Sequence, residues 1–403
     1  MKVLQVNCVY NTGSTGKIMY DIHTELLNNG HESVICYGRG AKTHDANVYK
    51  TCGELYSKFN NLLSRFTGIM YGGCFFSTNK LISVIKKEKP DIVHIHCINN
   101  HFVNIYRLVT FLKKSGIKTV LTLHAEFMHT ANCGHALECE KWKSGCGKCP
   151  RLKKETKAYF FDGTAVSFKK MKKAFEGFDE KLTLVSVSPW LRERAKQSPI
   201  LKGKNHRVVL NGLDTSEFYR RDGEKILKEF SLEDKKTVLF VTPLFSLDKN
   251  NIKGGWYVVE LAKQMPDVYF VIVGSKETYS NLPQNVINIG RVENKGKLAE
   301  LYSAADVTLL VSKKETFSMV TAESLCCGTP VVGFKAGAPE CISIPEYSRF
   351  VDYGNIDELK IALTDFLKNK KWNPEAIEKA AKEKYDKTIM YNGYFAIYND
   401  TVR

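Results

Sequence analysis

The sequence predicts an α/β protein built from two Rossmann-like domains. Eleven short apolar runs alternate with helix-like stretches along its 403 residues, the pattern of βαβ units around parallel sheets. The runs are near-continuous in β-branched residues and bounded by Gly, Pro, Asp or Asn, as strands covered on both faces are. Eleven strands exceed one ordinary doubly wound sheet, and a polar stretch at 197–206 interrupts them midway. The expected organisation is an N-terminal domain over 1–205, a C-terminal domain over 206–383, and a C-terminal helix over 384–403 that packs back onto the first domain.

In chain order, the first domain is expected to draw its strands from 2–10, 32–38, 91–96, 119–125 and 182–188. The second draws them from 207–212, 237–243, 268–274, 286–291, 307–312 and 330–334. A helix over 16–30 lines up Ile18, Ile22, Leu26 and Leu27 on one face, and Gly30 suits its C-cap. In 55–73, Leu55, Phe59, Leu62, Leu63, Phe66 and Met70 share a helical face that either packs into the first core or lies against a membrane. The tail carries Tyr385, Ile389, Tyr394, Ile397 and Tyr398, an aromatic helix able to pack back.

A chain that is 43% apolar and 25% charged is neither disordered nor a disulfide-stapled mini-protein. Its formal charge of +16 implies an anionic partner. The excess is concentrated in residues 141–173, where eleven Lys or Arg stand against Glu155 and Asp162. No apolar run reaches the roughly 18 residues of a membrane span, and Asn7 and Asn11 interrupt any signal-peptide core, so a cytoplasmic location is expected. Of twelve cysteines, eight are dispersed, several within apolar runs (Cys36, Cys97, Cys326), as reduced buried thiols are.

Ligands of open parallel sheets gather at the carboxyl ends of strands, where helix N-termini present free amides. Two such places stand out. After the first strand, Gly13, Ser14 and Gly16 form a turn that either cradles a phosphate or sugar or merely turns the chain. It has neither Walker A nor dinucleotide spacing. After the strand ending at Ser312, Glu315 falls in a loop and Glu323 on a helix expected to start near Ser318. A carboxylate at Glu323 can accept two ribose hydroxyls while amides near Phe317 and Ser318 face an anion. Two solvated acids around a helix would give the same spacing. In the strand 91–96 the alternation is expected to turn only one of His94 and His96 toward the ligand end. His124 precedes a loop at the site end of its strand.

The E-x7-E element of Glu315 and Glu323, followed by CGTPVVG and GAPE, resembles the retaining nucleotide-sugar glycosyltransferases of family 4. The resemblance runs through the early Gly loop, PDIVHIH, TLH at 122–124, VSPWL, NGLDTSEF and LAELYSAADV, nearly the whole chain. It implies the GT-B fold, two facing Rossmann-like domains with a cleft between them, and transfer of a hexosyl or N-acetylhexosaminyl group from a nucleotide-diphosphate donor. By the same resemblance, Glu323 holds the ribose and Glu315 the donor sugar. Phe317, Ser318, Met319 and Val320 offer amides to the diphosphate and sugar, Arg291 and Val292 lie where the base is read, Lys253 clamps the diphosphate, and His124 sits near the reacting carbon. No catalytic metal is expected. The chain departs from the family pattern in lacking an Arg shortly before Lys253. Lys249 is the remaining second cation, a point charge in place of a bidentate fork.

Cys133, Cys139, Cys146 and Cys149 form C-x5-C-x6-C-x2-C within an insertion over about 129–152. The closing knuckle suits structural zinc, with His129 or His135 as substitute ligands; ordinary reduced thiols and an iron–sulfur cluster are the alternatives. A related set of polysaccharide glycosyltransferases carries a similar Cys-rich insertion. The basic aromatic stretch beyond it suits anionic headgroups or a diphosphate-lipid. The expected function is therefore sugar transfer to a glycan or lipid-linked saccharide in surface polysaccharide biosynthesis, with peripheral contact at the inner face of the cell membrane and no nucleic-acid partner. A non-catalytic sugar-nucleotide or partner-binding protein is the alternative.

Overall fold

The β-branched runs fold as two wholly parallel sheets in the computed structural model, which describes residues 1–274, 279, 281–368 and 372–402. The chain divides into a first unit of Met1–Val209 with Tyr391–Arg403, and a second of Leu210–Met390.

The first unit's sheet is formed by β1 (Lys2–Val9), β2 (Glu32–Arg39), β3 (Val48–Lys50), β4 (Ile92–Ile95), β5 (Lys118–Leu123), β6 (Leu182–Ser186) and β7 (Asn205–Val208), in the order β3-β2-β1-β4-β5-β6-β7. Residues of β1 such as Val3, Leu4 and Val6 are fully buried, as strands covered on both faces require. The sequence reading assigned residues from 206 onward to the second domain. Instead β7 pairs with β6, Thr183 opposite Asn205, so the boundary falls after Val209. Helix α1 (Gly13–Asn28) buries Ile18, Ile22 and Leu26 as its periodicity requires, while Leu27 falls off the stripe and is exposed.

The second unit's sheet is formed by β8 (Lys236–Val241), β9 (Val268–Val273), β10 (Val286–Gly290), β11 (Val307–Leu310), β12 (Val331–Phe334) and β13 (Ser348–Val351), in the order β10-β9-β8-β11-β12-β13. Its core gathers Phe240, Phe270, Ile272, Leu309 and Val332 under the helices.

Both strand orders reverse direction once, between β1 and β4 in the first unit and between β8 and β11 in the second. At such a switch point the helices leave to opposite faces and open a crevice beyond the strand ends. All twelve cysteines are unpaired thiols, Cys36 and Cys326 buried and Cys97 half-buried. Among the described residues no helix is long and apolar enough to cross a membrane.

Candidate active site

In the second unit, the loops leaving β8 and β11 bring two predicted residues together: Lys253 Nζ donates to Glu315 Oε1 at 2.6 Å. The backbone fixes that meeting. Gly254 has φ +74°, and a Cβ there would stand 2.2 Å from the Val311 carbonyl, so only glycine lets the Lys253 loop lie against the end of β11. The amide of Lys313 donates to the Ile252 carbonyl at 2.7 Å, closing the same seam. Glu315 is held in turn by its amide on Ala336 O and its carbonyl under the Ala338 amide, while Glu340 of GAPE accepts from the amides of Ala336 and Gly337.

The helix after Glu315 spans Met319–Cys326. Ser318 caps it at φ +87°, its hydroxyl accepting from the Thr321 amide. The amides of Met319 and Val320 belong to the first turn, where no intrahelical acceptor exists, so they are available to an anion. Phe317 is buried, edge-on to Tyr385, and serves as an anchor for this turn. One turn on, Glu323 accepts from the Tyr302 hydroxyl at 2.9 Å. Burial pushes the Glu323 carboxyl up to about 7, against the pull of that hydrogen bond. Tyr302 was missed by the sequence reading, since a lone aromatic inside LAELYSAADV carries no signal of its partner.

Other predicted residues lie apart. Lys249 is exposed, its ammonium 4.6 Å from the Trp256 ring centroid, so a cation–π contact occupies it. Arg291 is exposed and pairs with Glu293 at 3.3 Å; Val292 follows it in the loop before the helix Lys295–Ala304.

In the first unit, Gly13 and Ser14 open α1 on the surface, Gly13 with φ +62° and open space where a Cβ would stand. Gly16 has a packing role: a Cβ there would lie 3.1 Å from Val9 Cγ2, so its absence seats α1 on β1. His124 follows β5 and is 9% exposed. Burial lowers it to about 4, so it is a neutral imidazole near pH 7. His94 and His96 do not divide between faces as expected: residues two apart in a strand point the same way, and their rings are 3.9 Å apart. His96 Nε2 lies 3.0 Å from Gln5 Oε1 and its Nδ1 3.3 Å from His124 Nε2. With the Gln5 oxygen accepting, His96 donates from Nε2 and accepts at Nδ1. His124 then donates from Nε2 and carries its lone pair on Nδ1. Burial holds His94 and His96 well below the usual histidine range.

Two residues beyond His124, Glu126 is fully buried and meets Arg194 at 2.5 Å and His129 at 3.3 Å, with the Ala136 amide donating to it at 2.7 Å. Burial opposes its charge, but these neighbours outweigh it and hold the carboxyl at about 2. Arg194 also lies 4.7 Å from the ring centroid of buried Trp142, which ties the Cys-rich segment to the helix Pro189–Gln197. Cys133, Cys139, Cys146 and Cys149 are half-buried neighbours, and burial pushes Cys146 up to about 11 and Cys133 and Cys149 upward as well. Among the described residues no three His, Cys, Asp or Glu side chains are gathered closely enough to hold an ion.

Residues 15–217 match Glycosyltransferase Family 4, half of the chain. The chain belongs to that family. Residues 223–384 match Glycosyl transferases group 1, which covers the β8 and β11 loops. The glycosyltransferase is 23% identical to N-acetyl-alpha-D-glucosaminyl L-malate synthase of Bacillus anthracis, over 99% of this chain and 97% of that protein. It is also 23% identical to the putative colanic acid biosynthesis glycosyl transferase WcaC of Escherichia coli K12, over 84% of each. Among solved structures it resembles Anabaena Alr3699/HepE in complex with UDP-glucose, at TM-score 0.65 and 14% identity, over 99% of this chain and 100% of that one. That likeness identifies the fold as GT-B.

Proposed function

We propose that the chain is a retaining glycosyltransferase of surface polysaccharide biosynthesis, moving a hexosyl or N-acetylhexosaminyl group from a nucleotide-diphosphate sugar to a glycan or lipid-linked saccharide. One observation carries the reading: the Lys253–Glu315 ion pair at the switch point of the second sheet, beside the open amides of Met319 and Val320 and one turn from Glu323. The relatives named as a putative colanic acid biosynthesis glycosyl transferase and as N-acetyl-alpha-D-glucosaminyl L-malate synthase, and the UDP-glucose complex of the Anabaena protein, support it.

In the resting chain Lys253 and Glu315 neutralise each other. Donor binding exchanges that pair for two contacts: Lys253 turns to the diphosphate, and Glu315 accepts from sugar hydroxyls. The helix amides and Lys253 stabilise charge as it develops on the departing diphosphate, and that phosphate oxygen takes the acceptor's proton on the face it leaves, which preserves configuration. Glu323, ionised, accepts both ribose hydroxyls. His124, a neutral imidazole at the carboxyl end of β5, is the first unit's candidate to sit near the reacting carbon. Gly13 and Ser14 remain candidate ligand contacts of the first unit, and Arg291 and Val292 of the second. The C-x5-C-x6-C-x2-C spacing of Cys133, Cys139, Cys146 and Cys149 supports structural zinc, whose binding would draw the thiols together and release their protons.

The position of Lys249 on Trp256 favours a second reading, a donor-binding protein without turnover, since it leaves the missing Arg unreplaced. Two measurements together separate the readings. A panel of nucleotide diphosphates and their sugars should raise the melting temperature, and saccharide acceptors should then elicit release of nucleotide diphosphate. Stabilisation without acceptor-dependent release over a broad acceptor set would favour the second reading, and no stabilisation by any donor would refute both.

A further inference from the structure

Helix α2 (Glu54–Thr67) is folded inside out. Its buried residues are Ser57, Asn60 and Ser64, and its apolar ones face outward: Leu55 is 82% exposed and Phe59 56%, with Leu62, Leu63 and Phe66 also exposed. The inward polar face is satisfied by the protein. Ser57 donates to the Asn100 carbonyl at 3.1 Å and receives Arg39 at 2.9 Å, while Asn60 accepts from the Cys74 amide at 2.7 Å and donates to the Tyr56 carbonyl at 2.8 Å. The helix is therefore anchored through hydrogen bonds and none of its apolar side chains is among its buried residues; of the predicted stripe only Met70, beyond the helix, is buried.

The stripe continues across neighbouring segments. Phe76 at the start of α3 (Phe75–Glu88) is 78% exposed, its ring 5.9 Å from Tyr56, and Phe66 meets Tyr159 at 5.3 Å and Phe160 at 5.9 Å. Phe160 and Phe161 are 69% and 66% exposed. A built joint holds these pieces in one surface. A Cβ on Gly68 would lie 2.0 Å from the Phe161 carbonyl and one on Gly163 2.4 Å from the Gly68 carbonyl, so two glycines let the end of α2 press against this loop. The Tyr159 amide donates to the Arg65 carbonyl at 2.8 Å.

Charge around the patch is predominantly positive. From Glu54 to Glu88 the chain sets Lys58, Arg65, Lys80, Lys86 and Lys87 against only those two terminal acids, which pair with Arg39 and Lys2, and residues 156–173 set five lysines against Asp162 alone. Phe75 also walls an open groove of about 830 Å³ whose cations are Lys86, Arg107, Lys114 and Lys170, with no carboxylate in its lining. A second copy of this face would bring cations against cations. A surface of anionic headgroups over acyl chains matches both its apolar centre and its basic rim.

We propose that the face formed by α2, the start of α3 and residues 159–161 seats the first unit on an anionic phospholipid bilayer, with the aromatic and leucine side chains in the interface and the lysines on the headgroups. This goes beyond the transfer reading and does not depend on it.

Vesicle co-sedimentation of the full chain tests it, using phosphatidylcholine vesicles with and without phosphatidylglycerol. Binding should require the anionic lipid and weaken as salt rises. The triple variant Leu55→Gln, Phe76→Gln, Phe160→Ser should bind at least about tenfold more weakly for each side chain removed, with an unchanged melting temperature because all three are exposed. Lys58→Glu with Lys157→Glu should cost about fivefold or more per charge on anionic vesicles only. Wild-type protein that stays in the supernatant with anionic vesicles, or triple-variant binding equal to wild type, overturns the proposal. So does a concentration-dependent dimer in sedimentation equilibrium that Phe76→Gln dissociates, which would assign the face to a second copy.

Discussion

Glu323→Gln separates what the fold needs from what the ligand needs. In the folded chain burial raises this carboxyl from 4.5 to about 7. A group whose folded value is raised takes up a proton on folding, so the stability it contributes is whole below about pH 4.5 and is lost as pH rises through about 7. The shift corresponds to about 3 kcal/mol of cost for holding an ionised carboxylate there, an upper figure because the side chain is partly wetted. Glutamine keeps an oxygen for the Tyr302 hydroxyl and carries no charge. The variant should therefore match wild type near pH 4.5 and be more stable by about 1–3 kcal/mol near pH 8. Its affinity for nucleotide diphosphates should fall by about tenfold or more, because hydrogen bonds from two hydroxyls to a carboxylate are worth more than those to an amide. Thermal unfolding across this pH range, with calorimetric titration of uridine and guanosine diphosphates, reads both effects. A variant no more stable than wild type at the alkaline end, or a stability difference flat with pH, would refute the burial argument; unchanged nucleotide affinity would remove Glu323 from the ribose.

Lys253→Ala should depress turnover more than nucleotide affinity, since the ammonium acts most on charge developing in the transition state; collapsed affinity with a normal rate at saturation would contradict that role. Arg194→Met leaves Glu126 buried without its cation and should cost about 3–5 kcal/mol of first-unit stability in denaturant, whereas a loss below about 1 kcal/mol would mean that His129 carries the pair. Protein purified without chelator should contain about one equivalent of zinc with four thiolates as ligands, and well-folded material with less than about half an equivalent would leave the four cysteines as ordinary thiols.

Much of this was legible in sequence because the responsible residues are local. Apolar runs bounded by Gly and Asp give strands wherever both sheet faces are covered, and Ser318 caps the helix between Glu315 and Glu323 as its type and position suggest. What escaped was non-local. The strands β3 and β13 are only 3 and 4 residues long and β7 is polar, so their pairing is decided by neighbours far away in sequence. The stripe on α2 was visible, but its direction was not, because periodicity identifies a face without saying what it faces. Asn60 and Ser57 settle it through partners at Cys74 and Asn100. Glu126 and Arg194 are 68 residues apart, and nothing in either neighbourhood names the other.

The final helix, Lys387–Val402, has a consequence for synthesis. Tyr398 meets His94 Nδ1 at 2.6 Å and Tyr394 meets the Thr122 hydroxyl at 3.1 Å, both in the interior of the first unit. A ribosome completes residues 1–209 and must then make the whole second unit before these tyrosines exist, an interval on the order of tens of seconds. Through that interval His94 Nε2 and the Thr122 hydroxyl can already pair with each other at 2.8 Å, but neither yet has its tyrosine. Its sheet can assemble early, but its polar interior is complete only when the last helix leaves the tunnel.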